Sequence, residues 1–216
     1  MPYTLKLELL SPALVGSGQG FGTVIDTDIV FDEAGIPFIP AKRIKGCLLD
    51  AFKEVKDMSG ISEIFNIQCE DIFGKIGSEK SAPVYFSNLV IENYETNKAW
   101  LQYYLSNKKY NSILSTDSIL ETFTEIRQQT AIDKDGVASE HSLRTSRVVQ
   151  KGFVFLGDLH IENPIRYILD AIALACINFR HFGTQRNRGF GEVRCSLMDN
   201  EKEISIQKRL EALCIK

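Results

Sequence analysis

The chain has 216 residues, 44% of them hydrophobic and 25% charged, the make-up of an ordinary globular domain long enough to bury a real core. Its formal charge of −3 argues against a free-standing nucleic-acid binder, a class that carries a clear basic excess. No run approaches the ~18–20 apolar residues of a membrane span, and the first residues, MPYTLKLELLSP, lack the basic and apolar regions of a signal peptide.

In chain order, residues 4–10 (TLKLELL) set Leu5, Leu7 and Leu9 at period two, which predicts a strand. A glycine-rich stretch, GSGQGFGT, precedes a second β-prone run, VIDTDIVFD, in which Asp26, Asp28 and Asp32 would share one face of a strand. The turn EAGIPFIP leads into a helix over 42–56, beginning just after Pro40. Its apolar face is Ile44, Cys47, Leu48, Ala51, Phe52 and Val55. Residues 83–91 predict another strand. The polar stretch 93–150 reads as one insertion into a single domain of residues 1–216, irregular or hairpin-bearing, with room for a short helix. A strand follows at 151–161, broken at Gly157, and then a helix at 164–180 that starts on Pro164. That helix presents Ile165, Ile168, Leu169, Ile172, Cys176 and Phe179. A last strand puts Val193, Cys195 and Leu197 on one face. The order strand, helix, strand, insertion, strand, helix, strand predicts an α+β fold of the ferredoxin-like βαββαβ type.

Five isolated cysteines, Cys47, Cys69, Cys176, Cys195 and Cys214, form no CxxC pair, which argues for a reducing cytoplasm and against a zinc site or disulfide frame. The glycines Gly16, Gly18, Gly20 and Gly22 miss the GxGxxG spacing, because Phe21 stands where a glycine is needed, and no GK[ST] follows. A turn between strands, or a loop that lets an RNA backbone approach, remains. Basic residues concentrate locally: Lys42, Arg43 and Lys45; Arg144 and Arg147; Arg180, Arg186, Arg188 and Arg194. Bases at a helix N-terminus oppose its dipole, so Lys42, Arg43 and Lys45 point to a bound phosphate or to solvated side chains. The three aspartates are candidates for a divalent ion or acid–base work, or are surface acids. His141, His160 and His181 make no metal-binding pattern. The segment HFGTQRNRGFGEVRC, residues 181–195, is either a generous turn or a clamp for an anionic chain.

Four segments together carry a resemblance: LLSPALVGSG, VIDTDIVFDEAGIPFIPAKRIKG, DIFGKIGSEKSAPVYFSNLVI and FGTQRNRGFGEV. They resemble the RAMP superfamily of CRISPR-associated proteins, and most of all the repeated backbone subunit of type III effector complexes. Residues 124–149 resemble that subunit's thumb-bearing insertion. Where the family reads P-G-S-S-L-K-G before its helix, this chain reads P-A-K-R-I-K-G, with charge in place of hydroxyls. The resemblance implies a subunit that polymerises along CRISPR RNA beside other copies of itself and other effector subunits, and cuts complementary target RNA with a divalent cation, Mg²⁺ or Mn²⁺. The residue matching the family's catalytic and metal-binding aspartate is Asp26, with Asp28 as the alternative. The implied RNA contacts are Lys42, Arg43, Lys45, Arg127, Arg144, Arg147, Gly183, Arg186, Arg188, Gly189 and Gly191. Two other readings stay open: a non-catalytic RNA-binding subunit, or a metal-independent guide-processing ribonuclease that uses His141 or His181.

Overall fold

The computed structural model describes residues 3–17, 25–59, 68–74, 82–162, 164 and 166–207. In chain order the elements are β1 (Tyr3–Leu9), β2 (Phe38–Ile39), α1 (Ala41–Ser59), α2 (Cys69–Phe73), β3 (Val84–Phe86), β4 (Leu89–Ile91), α3 (Tyr94–Ser106) and α4 (Thr116–Phe123). They continue with β5 (Thr124–Gln129), β6 (Arg144–Val149), β7 (Val154–Ile161), α5 (Arg166–Asn178), β8 (Val193–Asp199) and β9 (Lys202–Glu203). The main sheet runs β2-β4-β7-β1-β8-β9, with β3 also on β7, and every pairing is antiparallel. The order β4-β7-β1-β8, with α1 and α5 as crossovers, is the order expected of a βαββαβ unit. The hairpin β5–β6 stands apart as a two-stranded sheet.

Period-two alternation in β1 buries Leu5, Leu7 and Leu9 and leaves Lys6 in solvent. Helices α1 and α5 pack against each other and against the sheet. Ile44, Leu48 and Phe52 of α1 are fully buried, as are Ala171, Ile172 and Ala175 of α5. Helix α5 hides nearly its whole circumference, so its apolar residues exceed one face. It starts at Arg166; Ile165 lies outside the described residues, as do Gly18, Gly20 and Gly22 of the first glycine cluster, and Cys214.

Three expectations need correcting. Strand β7 does not break at Gly157: it runs through, with Leu5 opposite, and a Cβ there would stand 2.8 Å from the Leu89 side chain. The glycine makes room for β4. The predicted strand at 83–91 is interrupted at Ser87 and Asn88. There the Ser87 hydroxyl accepts from the Asp158 amide at 2.7 Å, and the Asn88 carboxamide oxygen caps α1 by accepting from the Ala41 amide at 2.9 Å. Finally, the described part of VIDTDIVFD, residues 25–32, forms isolated bridges instead of a strand. The chain bends at Asp26, so its aspartates do not share a face.

Phe52 is fully buried and its ring lies 6.3 Å from that of Phe73. Phe52→Ala should therefore lower the unfolding free energy by about 3–5 kcal/mol, read from urea denaturation monitored by circular dichroism.

Candidate nucleic-acid interface

Between α5 and β8 the chain closes into a loop. His181 bridges Glu192, and the Phe182 amide donates to the Gly191 carbonyl at 2.7 Å. At its centre Gln185 takes the left-handed conformation and Arg186–Arg188 make one 3₁₀ turn. Two of its glycines answer to this chain's own backbone. At Gly183 (φ +86°) a Cβ would sit 2.5 Å from the Leu14 carbonyl, and at Gly191 (φ +75°) it would overlap the Phe182 carbonyl. Gly189 (φ +78°) faces open space. Phe190 is half-buried against the core. Arg186 and Arg188 are exposed; the first donates from Nε to the Gly183 carbonyl at 3.0 Å, the second from Nη1 to Gln129 Oε1 at 3.4 Å.

That last bond joins the glycine loop to the β5–β6 hairpin. Gln129 pairs with Arg144 at the outer end of the ladder. Next to Arg144, Thr145 grips Asp26 twice: the Asp26 amide donates to the Thr145 carbonyl at 2.9 Å, and the Thr145 amide donates to Asp26 Oδ2 at 2.7 Å. Arg144 Nη1 lies 3.9 Å from the other carboxylate oxygen, Oδ1. The Asp26 side chain is 45% exposed.

The neighbouring aspartates are occupied by the scaffold. Asp28, 5% exposed, stands 3.1 Å from Arg147 Nε and accepts from its neighbour's amide. Asp32 accepts from the amides of Ala34 and Ile36 and from the Tyr94 hydroxyl. Beside it Lys98 bonds Glu33 at 2.8 Å, which holds the Glu33 carboxyl below its usual range and raises the Lys98 ammonium. These bonds fasten α3 to the turn before β2. Of the hairpin arginines, Arg147 is thus largely enclosed, whereas Arg127 is clasped by Glu125 at 2.6 and 2.8 Å and Arg144 is open to solvent.

At the start of α1, Lys42 is exposed, Lys45 is half-buried and Arg43 donates to the Gly16 carbonyl at 2.6 Å. Arg43 and Arg186 meet at a cavity of about 390 Å³ lined also by Gly16, Thr27, Cys47 and Phe182. Burial pushes the Cys47 thiol up despite the nearby Arg186, so it offers no thiolate there. His181 lies at the neck of the glycine loop, His141 in the exposed turn of the hairpin, and His160 beside the Tyr85 ring on β3.

Among the described residues, no group of three or more His, Cys, Asp and Glu side chains gathers as a ready-made metal cage. Asp26 Oδ1 suits a Mg²⁺-like ion, which commonly takes one or two carboxylates and completes its shell with substrate phosphates and water. Sequence reasoning missed Thr145 and Gln129, whose roles rest on backbone and amide contacts that leave no mark in residue type.

The model of the RAMP superfamily matches residues 6–194. The chain belongs to the RAMP superfamily. Among solved structures, this RAMP protein is similar to a chain of the type III-B Cmr-beta complex bound to cognate target RNA (TM-score 0.63, 16% identity, covering 91% of this chain and 97% of that one). It is similar also to a chain of the apo Cmr-beta complex (TM-score 0.61, 14% identity, the same coverage). At such identities the likeness is one of fold. No curated protein matches the sequence. No helix of the described residues is long and apolar enough to cross a membrane.

The differing surroundings of the two aspartates can be measured. Asp28→Ala should cost about 3–5 kcal/mol, because it strands the Arg147 guanidinium in the interior. Asp26→Ala should cost only about 0.5–1.5 kcal/mol for its one hydrogen bond. Thermal and urea denaturation of the two variants side by side would check the order.

Proposed function

We propose that this RAMP protein is a CRISPR-RNA-binding backbone subunit of a type III interference complex that cuts complementary target RNA beside Asp26. The observation that carries the reading is the meeting, at the outer end of the β5–β6 ladder, of a half-exposed carboxylate, an open arginine and the glycine loop. Its partners would be guide RNA, target RNA, other copies of itself and other effector subunits. Support comes from the likeness to a chain of a complex bound to cognate target RNA.

Arg43 and Arg186 line the cavity between α1 and the glycine loop, and with Lys42, Lys45 and Arg188 they would hold guide phosphates, a grip independent of sequence and weakened by salt. The hairpin exposes Ile126, Ile132, Val137 and Leu143, an apolar surface suited to pressing between bases. A base pushed aside leaves its ribose and phosphate free to turn in line. Asp26 Oδ1 then orients the 2′-hydroxyl and takes its proton. The 2′-oxygen forms a bond to the adjacent phosphorus, and the bond from phosphorus to the 5′-oxygen breaks. The departing oxygen keeps the electron pair and gains a proton from water, leaving a 2′,3′-cyclic phosphate and a 5′-hydroxyl. A divalent ion held by Asp26 would supply positive charge to the departing oxygen.

Asp26→Ala in the reconstituted complex should slow cleavage of complementary RNA by about 10²–10⁴-fold while guide and target still bind. Cleavage at the wild-type rate would leave a non-catalytic RNA-binding subunit. Chelation by EDTA should stop the reaction as well; full cleavage in EDTA would favour metal-independent chemistry. Arg186→Ala with Arg188→Ala should flatten the salt dependence of guide binding by about 0.7 in logarithmic slope for each phosphate no longer neutralised, measured by filter binding from low to moderate salt.

A further inference from the structure

Of the arginines named above, most already have a close partner within the protein. Arg127 is held by Glu125, Arg43 by the Gly16 carbonyl, Arg186 by the Gly183 carbonyl, and Arg188 by Gln129. Arg147 is 11% exposed and sits against Asp28. Arg144 differs. Its side chain is 67% exposed, and its ion pair with Asp26 Oδ1, at 3.9 Å, is longer than a hydrogen bond. Its forked donors therefore remain available, next to the one open carboxylate of the three aspartates. The placement is not accidental to a loose side chain: the adjacent residue, Thr145, is tied to Asp26 by two hydrogen bonds, and Arg144 itself closes the β5–β6 ladder opposite Gln129.

A carboxylate that must work on a phosphodiester faces a problem of charge, since it repels the anion it has to meet. Arg144 answers it on the spot. We propose that Arg144 is a second catalytic residue, whose guanidinium binds the non-bridging oxygens of the scissile phosphate while Asp26 holds the 2′-hydroxyl. The inference rests on the cleavage reading above. In the free protein the guanidinium rests near Asp26; when RNA arrives, the phosphate accepts the donors that Asp26 leaves unused. As the 2′-oxygen adds to phosphorus, negative charge grows on those same oxygens, and a planar fork of donors stabilises it more than it stabilises the ground state.

The test uses the whole complex, reconstituted on guide RNA with wild-type protein, Arg144→Ala, Arg144→Lys and Asp26→Ala. Single-turnover cleavage of complementary RNA at saturating concentration is read beside target affinity. Arg144→Ala should cut about 10²–10³-fold more slowly with affinity nearly unchanged, and Arg144→Lys should recover part of the rate. Sulfur in place of a non-bridging oxygen at the scissile phosphate should slow the wild type and add little to Arg144→Ala. If Asp26→Ala is inactive but Arg144→Ala cuts like wild type, Arg144 has no catalytic part and the Asp26 reading stands. If Asp26→Ala still cuts, the cleavage reading itself fails. A deficit in Arg144→Ala that vanishes at saturating RNA, or an equal sulfur effect in both proteins, would reduce Arg144 to a grip on the backbone and overturn the proposal.

Discussion

The short segment from Pro12 to Ser17 forms no strand, yet it exchanges backbone hydrogen bonds with each part of the candidate interface. The Pro12 carbonyl accepts from Gly191 and the Leu14 carbonyl from Thr184, which docks the glycine loop. Ala13 and Val149 bond each other in both directions, which fixes the inner end of the hairpin. Val15 accepts from Val30, and Ser17 donates to the Asp28 carbonyl, which sets the aspartate segment. Ala13, Leu14 and Val15 are buried, so these bonds form away from water, where an unpaired amide would cost about 1–3 kcal/mol. One stretch of chain thus brings into register three segments that are distant in sequence. Without it, Asp26, Arg144 and Arg188 would belong to three independent loops.

Charge is sorted by the same geometry. A net −3 chain can still offer anions a basic groove if its cations are divided between anchoring and display. Arg147 anchors, by neutralising Asp28 in the interior, and Lys98 anchors α3 through Glu33. Arg43 does some of each: its guanidinium bonds the Gly16 carbonyl and also lines the cavity shared with Arg186. That bond partly explains a base at the start of α1 without any phosphate, since a carbonyl dipole offsets the repulsion of the helix end. Lys42, one residue earlier, is exposed, where water solvates its charge.

What could be read from sequence follows from how far each constraint reaches along the chain. Strands β1 and β8 and helices α1 and α5 announce themselves by periodicity, because a buried face repeats every two residues or every three to four. Their order was enough to predict an α+β fold. Periodicity left the hairpin β5–β6 open, because its strands repeat no buried face at period two. Contacts between partners far apart were invisible. Nothing in residue type marks Thr145 as the residue that holds Asp26, or pairs Arg147 with Asp28. The apparent break at Gly157 misled for the same reason, since the need for glycine there comes from Leu89 on another strand.

The glycine loop brings these threads together. Its sequence suggests glycines placed so that an outside chain can come close, but Gly183 and Gly191 are glycine because Leu14 and Phe182 come close from within. Positive φ at both positions lets the loop leave α5, turn under the Pro12–Ser17 segment and return to β8 without strain. A side chain at either place would push the loop off that segment and carry Arg188 away from Gln129. The glycines act on the outside world at one remove: they hold the backbone down so that the arginines between them stand up. Gly189 alone faces open space, at the end of the Arg186–Arg188 turn, and there a close approach from outside meets no obstacle.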